Sequence, residues 1–167
     1  MEEIHKYKIQ NNNYNNIIIN EVNLYDCFNF YRRQNIMVNN YTKHCNYCKM
    51  TCSSKMNTYL VTGPEILILL LNRGKGIEFN VEIYFEEYLN LCNYIEFKNT
   101  GFNYKLIGVI THIGESGMGG HFISYCRDPI TEKWHKYNDA IVTEVNNFQN
   151  DVLNFAMPYL LFYQKVN

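Results

Sequence analysis

The chain has 167 residues and a formal net charge of −1 at pH 7, with 47% apolar and 16% aromatic residues. Such a composition supports one folded domain with a sizeable core and excludes a disordered chain. A net charge near zero argues against a nucleic-acid-binding protein, whose affinity comes from basic surfaces. The longest apolar run, residues 66–71, is far shorter than the ~20 residues that span a bilayer, so we expect no membrane segment.

The N-terminus and the cysteine content bear on the cellular compartment. Residues 1–6 lack the layout of a secretory signal peptide, and we therefore expect an intracellular protein, cytoplasmic or nuclear. In those compartments the six cysteines are expected to be thiols or metal ligands and not disulfides.

One helix is predicted in the first half of the chain. Leu24, Cys27 and Phe28 fall at i, i+3 and i+4, which gives one apolar face and predicts a helix over residues 24–33. Asn23 is the expected N-cap. Cys27 lies in the apolar face and is expected to be a buried structural thiol.

Six strands are predicted before residue 100, and two of them carry a further prediction. They are residues 7–10, 17–19, 55–62, 65–72, 78–85 and 94–97. Residues 65–72 are apolar on both faces, which predicts a central buried strand. Residues 78–85 alternate between apolar and polar side chains, which predicts a half-exposed antiparallel strand.

The second half is predicted to be an antiparallel meander with one short helix. Strands are predicted at residues 104–113, 121–127, 133–138, 141–145 and 159–165, a helix at 148–155, a glycine loop at 114–120 and a turn at 128–132. The pattern contains no strand–helix–strand repeat. The predicted fold class is therefore α+β, mainly antiparallel β-sheet with one or two helices.

A Cys-x-x-Cys pair, Cys45 and Cys48, lies in the first half of the chain. Two such thiolates suit one edge of a tetrahedral zinc site, so the pair is half of a possible structural site. His44 and Cys52 are nearby in the sequence, but their spacing completes no known zinc knuckle. A thioredoxin-like redox motif is disfavoured because no strand–helix–strand pattern surrounds the pair.

His121 follows the glycine loop and opens a strand, and Asn138 and Asp139 end the next strand. If the two strands form an antiparallel hairpin, Asn138 or Asp139 returns to the level of His121. Cysteine proteases use such a pair, in which the histidine moves the proton and the Asn or Asp orients the imidazole. Adjacent strand residues point to opposite faces, so only one of the two should orient His121 directly. The structural alternative is a glycine hairpin turn and a solvated Asn-Asp turn.

Segments that cover almost the whole chain from Leu24 onward resemble a known family. Residues 104–114, 120–125, 134–139 and 159–163 resemble the histidine box of the ubiquitin-specific proteases, which are papain-like cysteine peptidases. Residues 24–27, 41–48, 55 and 64–73 resemble the fingers-to-palm region of the same family. The resemblance implies a single partial catalytic domain over 1–167, with fingers and palm in about 1–73 and the histidine-box palm in 74–167.

The resemblance also assigns roles to the catalytic candidates. His121 would be the general base and acid. Asn138 stands at the position where the family orients the histidine, and Asp139 is the next residue, a support or a substitute for it. Which of the two orients His121 stays open at this point.

The remaining site assignments concern the substrate. The resemblance implies that the glycine loop, including Gly114, Gly119 and Gly120, blocks the cleft that receives the C-terminal tail of ubiquitin. His112 would shape that cleft, and Tyr125 would contribute to substrate binding. Ubiquitin or ubiquitin conjugates are thus the expected partners, with no nucleic acid and no membrane.

Two departures from the family limit the expected activity. The family's cysteine box is absent, and Cys27 does not replace it because its surroundings match a later helix. The family's first zinc pair is absent too, and Cys45 and Cys48 match the second. We therefore expect a deubiquitinase-type fragment that lacks the nucleophile and is inactive alone, which requires no cofactor and holds at most a structural zinc. A non-catalytic ubiquitin-binding or scaffold module, and a small zinc-binding structural protein, are the alternatives.

Overall fold

The computed structural model describes residues 21–32, 35–37, 43–52, 54–56, 58–73, 81–95, 102–114, 119–153 and 157–166. Its strands are β1 (Glu21–Asn23), β2 (Asn35–Met37), β3 (Lys43–His44), β4 (Thr51–Cys52), β5 (Ser54–Met56), β6 (Ile66–Leu70), β7 (Glu82–Tyr84), β8 (Tyr88–Asn90), β9 (Asn103–Ile113), β10 (His121–Arg127), β11 (Trp134–Asn138), β12 (Ile141–Glu144) and β13 (Pro158–Val166). The helical elements are α1 (Leu24–Arg32), a 3₁₀ turn (Cys92–Tyr94) and a five-residue π-helix (Gln149–Leu153). The strands predicted at 7–10 and 17–19 lie outside the described residues.

The main element is a seven-stranded sheet in the order β12-β11-β10-β9-β13-β6, with β8 pairing the start of β9. Every pairing within this sheet is antiparallel. Three two-stranded pairs complete the described sheet structure: β1 with β7, β2 with β5, and β3 with β4. The predicted α+β class with a mainly antiparallel sheet is confirmed.

One face of this sheet carries the core. Leu106, Val109, Leu161 and Tyr163 are at most 1% exposed, and they lie on the two long neighbouring strands β9 and β13. Leu161 and Tyr163 are two residues apart and share a face, and a register shift between the two strands sets Leu106 and Val109 opposite them. Trp134 extends the core across β11 and stacks on Phe148 at 4.3 Å between ring centroids.

The helix predicted after Asn23 is confirmed, with the predicted cap. The Tyr25 backbone N–H donates to Asn23 Oδ1 at 2.8 Å, and the Asn23 N–H donates to Asp26 Oδ2 at 2.9 Å. These reciprocal bonds satisfy backbone donors at the helix start. Cys27 is half-buried in this helix, and burial raises its pKa to about 11, so the thiol stays protonated at neutral pH.

The position predicted for residues 65–72 is wrong. Among the described strands, β6 lies at the edge of the main sheet and not at its centre. Its outward residues Ile66, Ile68 and Leu70 are 42%, 56% and 61% exposed. A continuous apolar run does not reveal strand order, and the inner place is taken by β13, which pairs both β9 and β6.

The alternation predicted for residues 78–85 holds where the structure describes it, but the predicted antiparallel pairing is wrong. Val81, Ile83 and Phe85 are buried, and β7 pairs β1 in parallel. Of the strand predicted at 94–97, Tyr94 ends a 3₁₀ turn, Ile95 makes a bridge with Leu60, and residues 96–97 lie outside the described part of the chain. The partner of β7 is distant in sequence, and a local pattern cannot specify it.

The other element predictions differ mainly at their ends. The predicted strand at 55–62 is reduced to β5 and the Leu60 bridge, and the predicted helix at 148–155 is the π-helix. The strands β1 to β4 and β8 were not predicted. None of the described helices is long and apolar enough to cross a membrane.

Candidate active site

The site forms where β9, β10, β11 and β12 turn at one end of the sheet. His121 pairs with Ile113 across β9 and β10, and Ser124 pairs with Tyr137 across β10 and β11. Continuing the second register by one residue sets Asn138 opposite Ile123, two residues from His121. Since paired and alternate residues share a face, Asn138 and His121 lie on the same side of the sheet, which we call the His121 face.

The imidazole of His121 is bonded to the side-chain amide of Asn138. His121 Nε2 lies 2.6 Å from Asn138 Oδ1. With the amide oxygen towards the ring, Nε2 carries the hydrogen and donates it. The lone pair of the neutral ring then resides on Nδ1, which is the atom left to accept a proton.

Asp139 lies farther from the ring. Its Oδ2 is 3.7 Å from His121 Nε2, beyond hydrogen-bonding distance, and its side chain is 82% exposed. It occupies a two-residue hairpin connection with φ of 51°, a left-handed conformation that aspartate tolerates better than most residues. Of these two residues, Asn138 is thus the one within hydrogen-bonding distance of His121.

Gly114 and Gly120 lie at the two ends of the glycine loop and have φ of 149° and 150°. A Cβ on Gly120 would lie 2.4 Å from both His112 Cε1 and the Ile113 carbonyl oxygen, and one on Gly114 would lie 2.6 Å from the Gly119 carbonyl oxygen. Neither position accommodates a side chain. Gly119 differs, because a Cβ there meets no atom within 4 Å. Residues 115–118 lie outside the described part of the chain.

His112 lies on the opposite face from His121, because it pairs with Phe122. Its ring is only slightly exposed and meets the Phe122 ring edge-to-face at 4.8 Å, and Phe122 meets Tyr159 in the same way at 5.4 Å. This ring cluster backs Gly120 and the start of β10. Phe122 and Tyr159 were not predicted as site residues, and the pairing of Phe122 with His112 follows only from the observed register.

Tyr125 is buried in the core and lines a cavity of about 350 Å³ with Lys136, Thr143 and Asp151. Burial, with a smaller contribution from the Asp151 carboxylate, raises the pKa of its phenol. The side chain shares the His121 face but lies four residues along β10, about 13 Å away. Its contact with substrate stays a prediction.

Two exposed isoleucines flank the histidine and the asparagine. Ile113 pairs with His121, and Ile141 pairs with Asn138. They are 55% and 64% exposed, and the register sets both on the His121 face. The His121 imidazole, itself 45% exposed, therefore lies between apolar side chains that have no cover among the described residues.

Within the described part of the chain, no cysteine contacts His121, whose side-chain partners are Asn138 and Asp139. Cys126 is on the same strand, but five residues along it is about 17 Å away and on the opposite face. Although the residue as a whole is exposed, partial burial of its thiol raises the pKa, which disfavours the thiolate. Among the described residues, His121 and Asn138 are thus in hydrogen-bonding contact, and no cysteine joins them.

Cys45 and Cys48 lie in the turn between β3 and β4 and are both exposed. Hydrogen bonds from the Cys48 backbone, and then from the Tyr47 backbone and the Cys48 thiol, lower the pKa of Cys45. A structural zinc site needs four donors, and the described residues contain no group of three or more His, Cys, Asp or Glu that could hold a metal ion. The donor set present fits half of a zinc site and does not fit a complete one.

Comparison with protein families gives one match to nearly the whole chain. The family model for ubiquitin carboxyl-terminal hydrolase matches residues 1–163. Ubiquitin carboxyl-terminal hydrolase 2 from Rattus norvegicus is 30% identical over 152 residues, which cover 86% of this chain and 24% of that protein. The Gallus gallus protein of the same name is 28% identical over 150 residues, which cover 86% of this chain and 41% of that protein.

Solved structures give the same result. A structure described as the SAGA Ubp8/Sgf11/Sus1/Sgf73 DUB module bound to ubiquitin aldehyde is similar with a TM-score of 0.70 and 27% identity, covering 88% of this chain and 35% of that one. A related module bound to monoubiquitin is similar with a TM-score of 0.71. The chain spans about a quarter to two fifths of the length of the curated relatives named above. It belongs to the ubiquitin carboxyl-terminal hydrolase family, a family of cysteine-type deubiquitinases.

Proposed function

We propose that this chain carries the base half of a deubiquitinase active site, which hydrolyses the peptide or isopeptide bond at the C-terminus of ubiquitin. The observation that carries the proposal is the 2.6 Å contact between His121 Nε2 and Asn138 Oδ1. In cysteine peptidases the imidazole takes the thiol proton and later gives it to the leaving amine, and a third group holds the ring in position. His121 has the first role and Asn138 the second.

The nucleophilic thiol comes from outside the described residues. Asn138 holds Nε2, so the sulfur approaches Nδ1. The two exposed isoleucines, Ile113 and Ile141, flank this approach and favour docking of a further protein segment over the imidazole. Such docking excludes water and strengthens the interaction between imidazole and thiolate. The nucleophile and the base then act as one unit, and neither is effective alone.

Ubiquitin, through its C-terminal tail, is the proposed substrate. The similar solved structures are described as bound to monoubiquitin and to ubiquitin aldehyde, which supports ubiquitin as a partner of this chain. The glycines at the base of the loop, Gly114 and Gly120, lie beside His121 without side chains, which leaves room for a close backbone approach. An extended tail would bind there through main-chain hydrogen bonds.

Hydrolysis and binding are tested separately with the purified 167-residue chain. With a ubiquitin–fluorophore conjugate we expect no turnover above background, because a base without a nucleophile gives no acyl transfer. With isotope-labelled chain and unlabelled ubiquitin we expect NMR shifts at residues of β10 and β11. Clear turnover that the His121→Ala variant abolishes would contradict the missing nucleophile, and absent shifts at high ubiquitin concentration would contradict substrate binding.

A non-catalytic ubiquitin-binding module is the second candidate function. It is favoured by one observation, that no cysteine contacts His121 among the described residues. A module of this kind needs ubiquitin binding but not the base. Adding a separately purified segment from a family member that contains the nucleophilic cysteine separates the two functions: recovered turnover that depends on His121 supports the base half, and binding without recovery supports the module.

No cofactor enters the proposed reaction. The exposed pair Cys45 and Cys48 is at most a structural half-site for zinc, distant in the chain from His121, and no step passes through it. Zinc analysis of the purified chain tests this directly, with less than one zinc per chain as the expected result.

A further inference from the structure

The turn between β3 and β4 holds two cysteines in a defined conformation. The Cys45 N–H donates to the Met50 carbonyl at 2.9 Å, and the Lys49 N–H donates to the Cys45 carbonyl at 2.8 Å. Lys49 has φ of 59°, a left-handed conformation that reverses the chain just after Cys48. The turn therefore fixes Cys45 and Cys48 relative to each other.

The two cysteines lie on one turn and face solvent. The bond from the Lys49 N–H to the Cys45 carbonyl spans four residues, as in one turn of an α-helix, and sets the residues three apart within it on the same side. Both cysteines are exposed. At the Cβ separation of about 5–6 Å typical of that spacing, a small backbone adjustment of the turn brings the pair to disulfide distance.

The described residues do not complete a metal site around this pair. The described residues offer no third donor to a metal that the pair would bind, and a two-thiolate site leaves half of the tetrahedral zinc positions to water. The pair thus consists of two neighbouring free thiols that solvent can reach. Such thiols are the chemical prerequisite for disulfide exchange.

We propose that Cys45 and Cys48 form an oxidative modification site that closes into a disulfide within the hairpin by exchange with a small disulfide such as glutathione disulfide. The Cys45 sulfur, after losing its proton to solvent, attacks one glutathione sulfur. The S–S bond breaks, one glutathione thiolate leaves, and a mixed disulfide forms on Cys45.

The second step closes the turn. The Cys48 sulfur loses its proton and attacks the Cys45 sulfur of the mixed disulfide, and the second glutathione leaves. Two protein thiols are oxidised, one glutathione disulfide is reduced to two glutathiones, and the two released protons are taken up by the leaving thiolates. The closed hairpin has no free thiolate for a metal, so this reaction and zinc binding exclude each other.

The other described cysteines lack a partner for the second step. Cys92 and Cys126 are exposed and single, and Cys27 is half-buried in α1. Any of these that reacts stops at the mixed disulfide. The side chain of Cys52 is not described, although its backbone pairs with Lys43 in the same hairpin, so a Cys52→Ser variant is a necessary control.

The test uses the full reduced chain, glutathione disulfide, intact-mass spectrometry and peptide mapping. We expect the loss of two hydrogens with a cross-link between Cys45 and Cys48, and the same cross-link in the Cys52→Ser and Cys126→Ser controls. Cys48→Ser is expected to stop at one stable glutathione adduct on Cys45. Circular dichroism checks that each variant is folded. We expect folding to be retained in the Cys48→Ser and Cys126→Ser variants, because both cysteines are exposed.

Three outcomes would overturn the proposal. The first is a wild-type disulfide that maps to Cys52. The second is stable glutathione on both Cys45 and Cys48, with no closure. The third is a purified chain that retains one zinc per molecule and protects both thiols from glutathione disulfide, because the pair would then be a metal site.

Discussion

Gly120 joins the glycine loop to the strand that begins with His121. Its φ of 150° and the 2.4 Å separation from His112 Cε1 that a Cβ would have leave no space for a side chain. We predict that Gly120→Ala lowers the free energy of unfolding by about 1–3 kcal/mol, the usual cost of a strained backbone position. It should also displace His121, visible as NMR shifts along β10.

Gly119 is the matched control for this substitution. A Cβ there contacts nothing within 4 Å, so Gly119→Ala should leave stability unchanged within about 0.5 kcal/mol. Urea unfolding of both variants measures the difference. Equal destabilisation by the two substitutions would contradict a specific requirement for glycine at position 120.

Strand parity predicted from the sequence that only one of Asn138 and Asp139 faces His121. Adjacent residues at the end of a strand cannot both face the same neighbour, so one of Asn138 and Asp139 had to be excluded. Which one was excluded depended on the register, and the register is set by the turn over residues 128–132, where Asp128 accepts the N–H groups of Ile130 and Thr131. The face of His112 likewise needed its pairing with Phe122.

At the scale of elements, the start of α1 depends on its cap. Asn23 and Asp26 exchange side-chain and backbone hydrogen bonds, so we predict that Asn23→Ala costs about 1 kcal/mol of stability. Asn29, on an exposed turn of the same helix, bonds Tyr94 and is not a suitable control. Asn23→Asp retains an acceptor oxygen and should restore most of the loss in thermal unfolding. An Asn23→Ala variant with unchanged stability would contradict the capping role.

The turn between β10 and β11 predicts a pH dependence. The Glu132 carboxylate accepts a hydrogen bond from Lys105 and pairs with Arg127, each at 2.5 Å, and chiefly the Lys105 bond lowers its pKa. A carboxyl whose pKa is lower in the folded state stabilises the fold above its ordinary pKa of 4.5 and loses that contribution as the pH falls through the folded value.

The variant Glu132→Gln isolates this effect. At pH 7 it should melt below the wild type, and the difference in melting temperature should shrink as the pH falls below about 4. Glu65→Gln, on an exposed residue that makes no ion pair among those described, is the control and should show no such convergence. A melting-temperature difference for Glu132→Gln that grows towards acid pH would contradict a lowered pKa of Glu132 in the folded state.

Element predictions succeeded where the signal was local and failed where a partner was distant. β9 and β10 followed from alternating residues around a glycine loop. β6 was misplaced because six apolar residues in a row look the same at the centre and at the edge of a sheet. The pairing of β7 with β1 joins segments about 60 residues apart, and no feature of either segment specifies it.

At the scale of the whole molecule, the edge strand β6 leaves Ile66, Ile68 and Leu70 exposed. Uncovered apolar strand edges favour association between chains. We predict that the purified chain self-associates and that Ile68→Lys reduces this association at unchanged unfolding free energy, because the side chain is 56% exposed. Sedimentation velocity at several concentrations measures the association.

Leu161→Ala is the contrasting variant. Leu161 is fully buried, so the substitution should cost about 2–5 kcal/mol of stability. It should leave the exposed side chains of β6 in place. If Ile68→Lys destabilised the chain as much as Leu161→Ala, the residue would be covered in solution and the exposed edge would be contradicted.

The protonation of the His121 ring tests the proposed base most directly. Nitrogen-15 NMR of the neutral imidazole should show hydrogen on Nε2 and a lone pair on Nδ1 in the wild type, since Nε2 faces Asn138 Oδ1. Asn138→Ala should produce a mixture of tautomers, whereas Asp139→Ala should leave the Nε2–H form dominant. A wild-type ring with hydrogen on Nδ1, or a tautomer that Asn138→Ala leaves unchanged, would contradict the account.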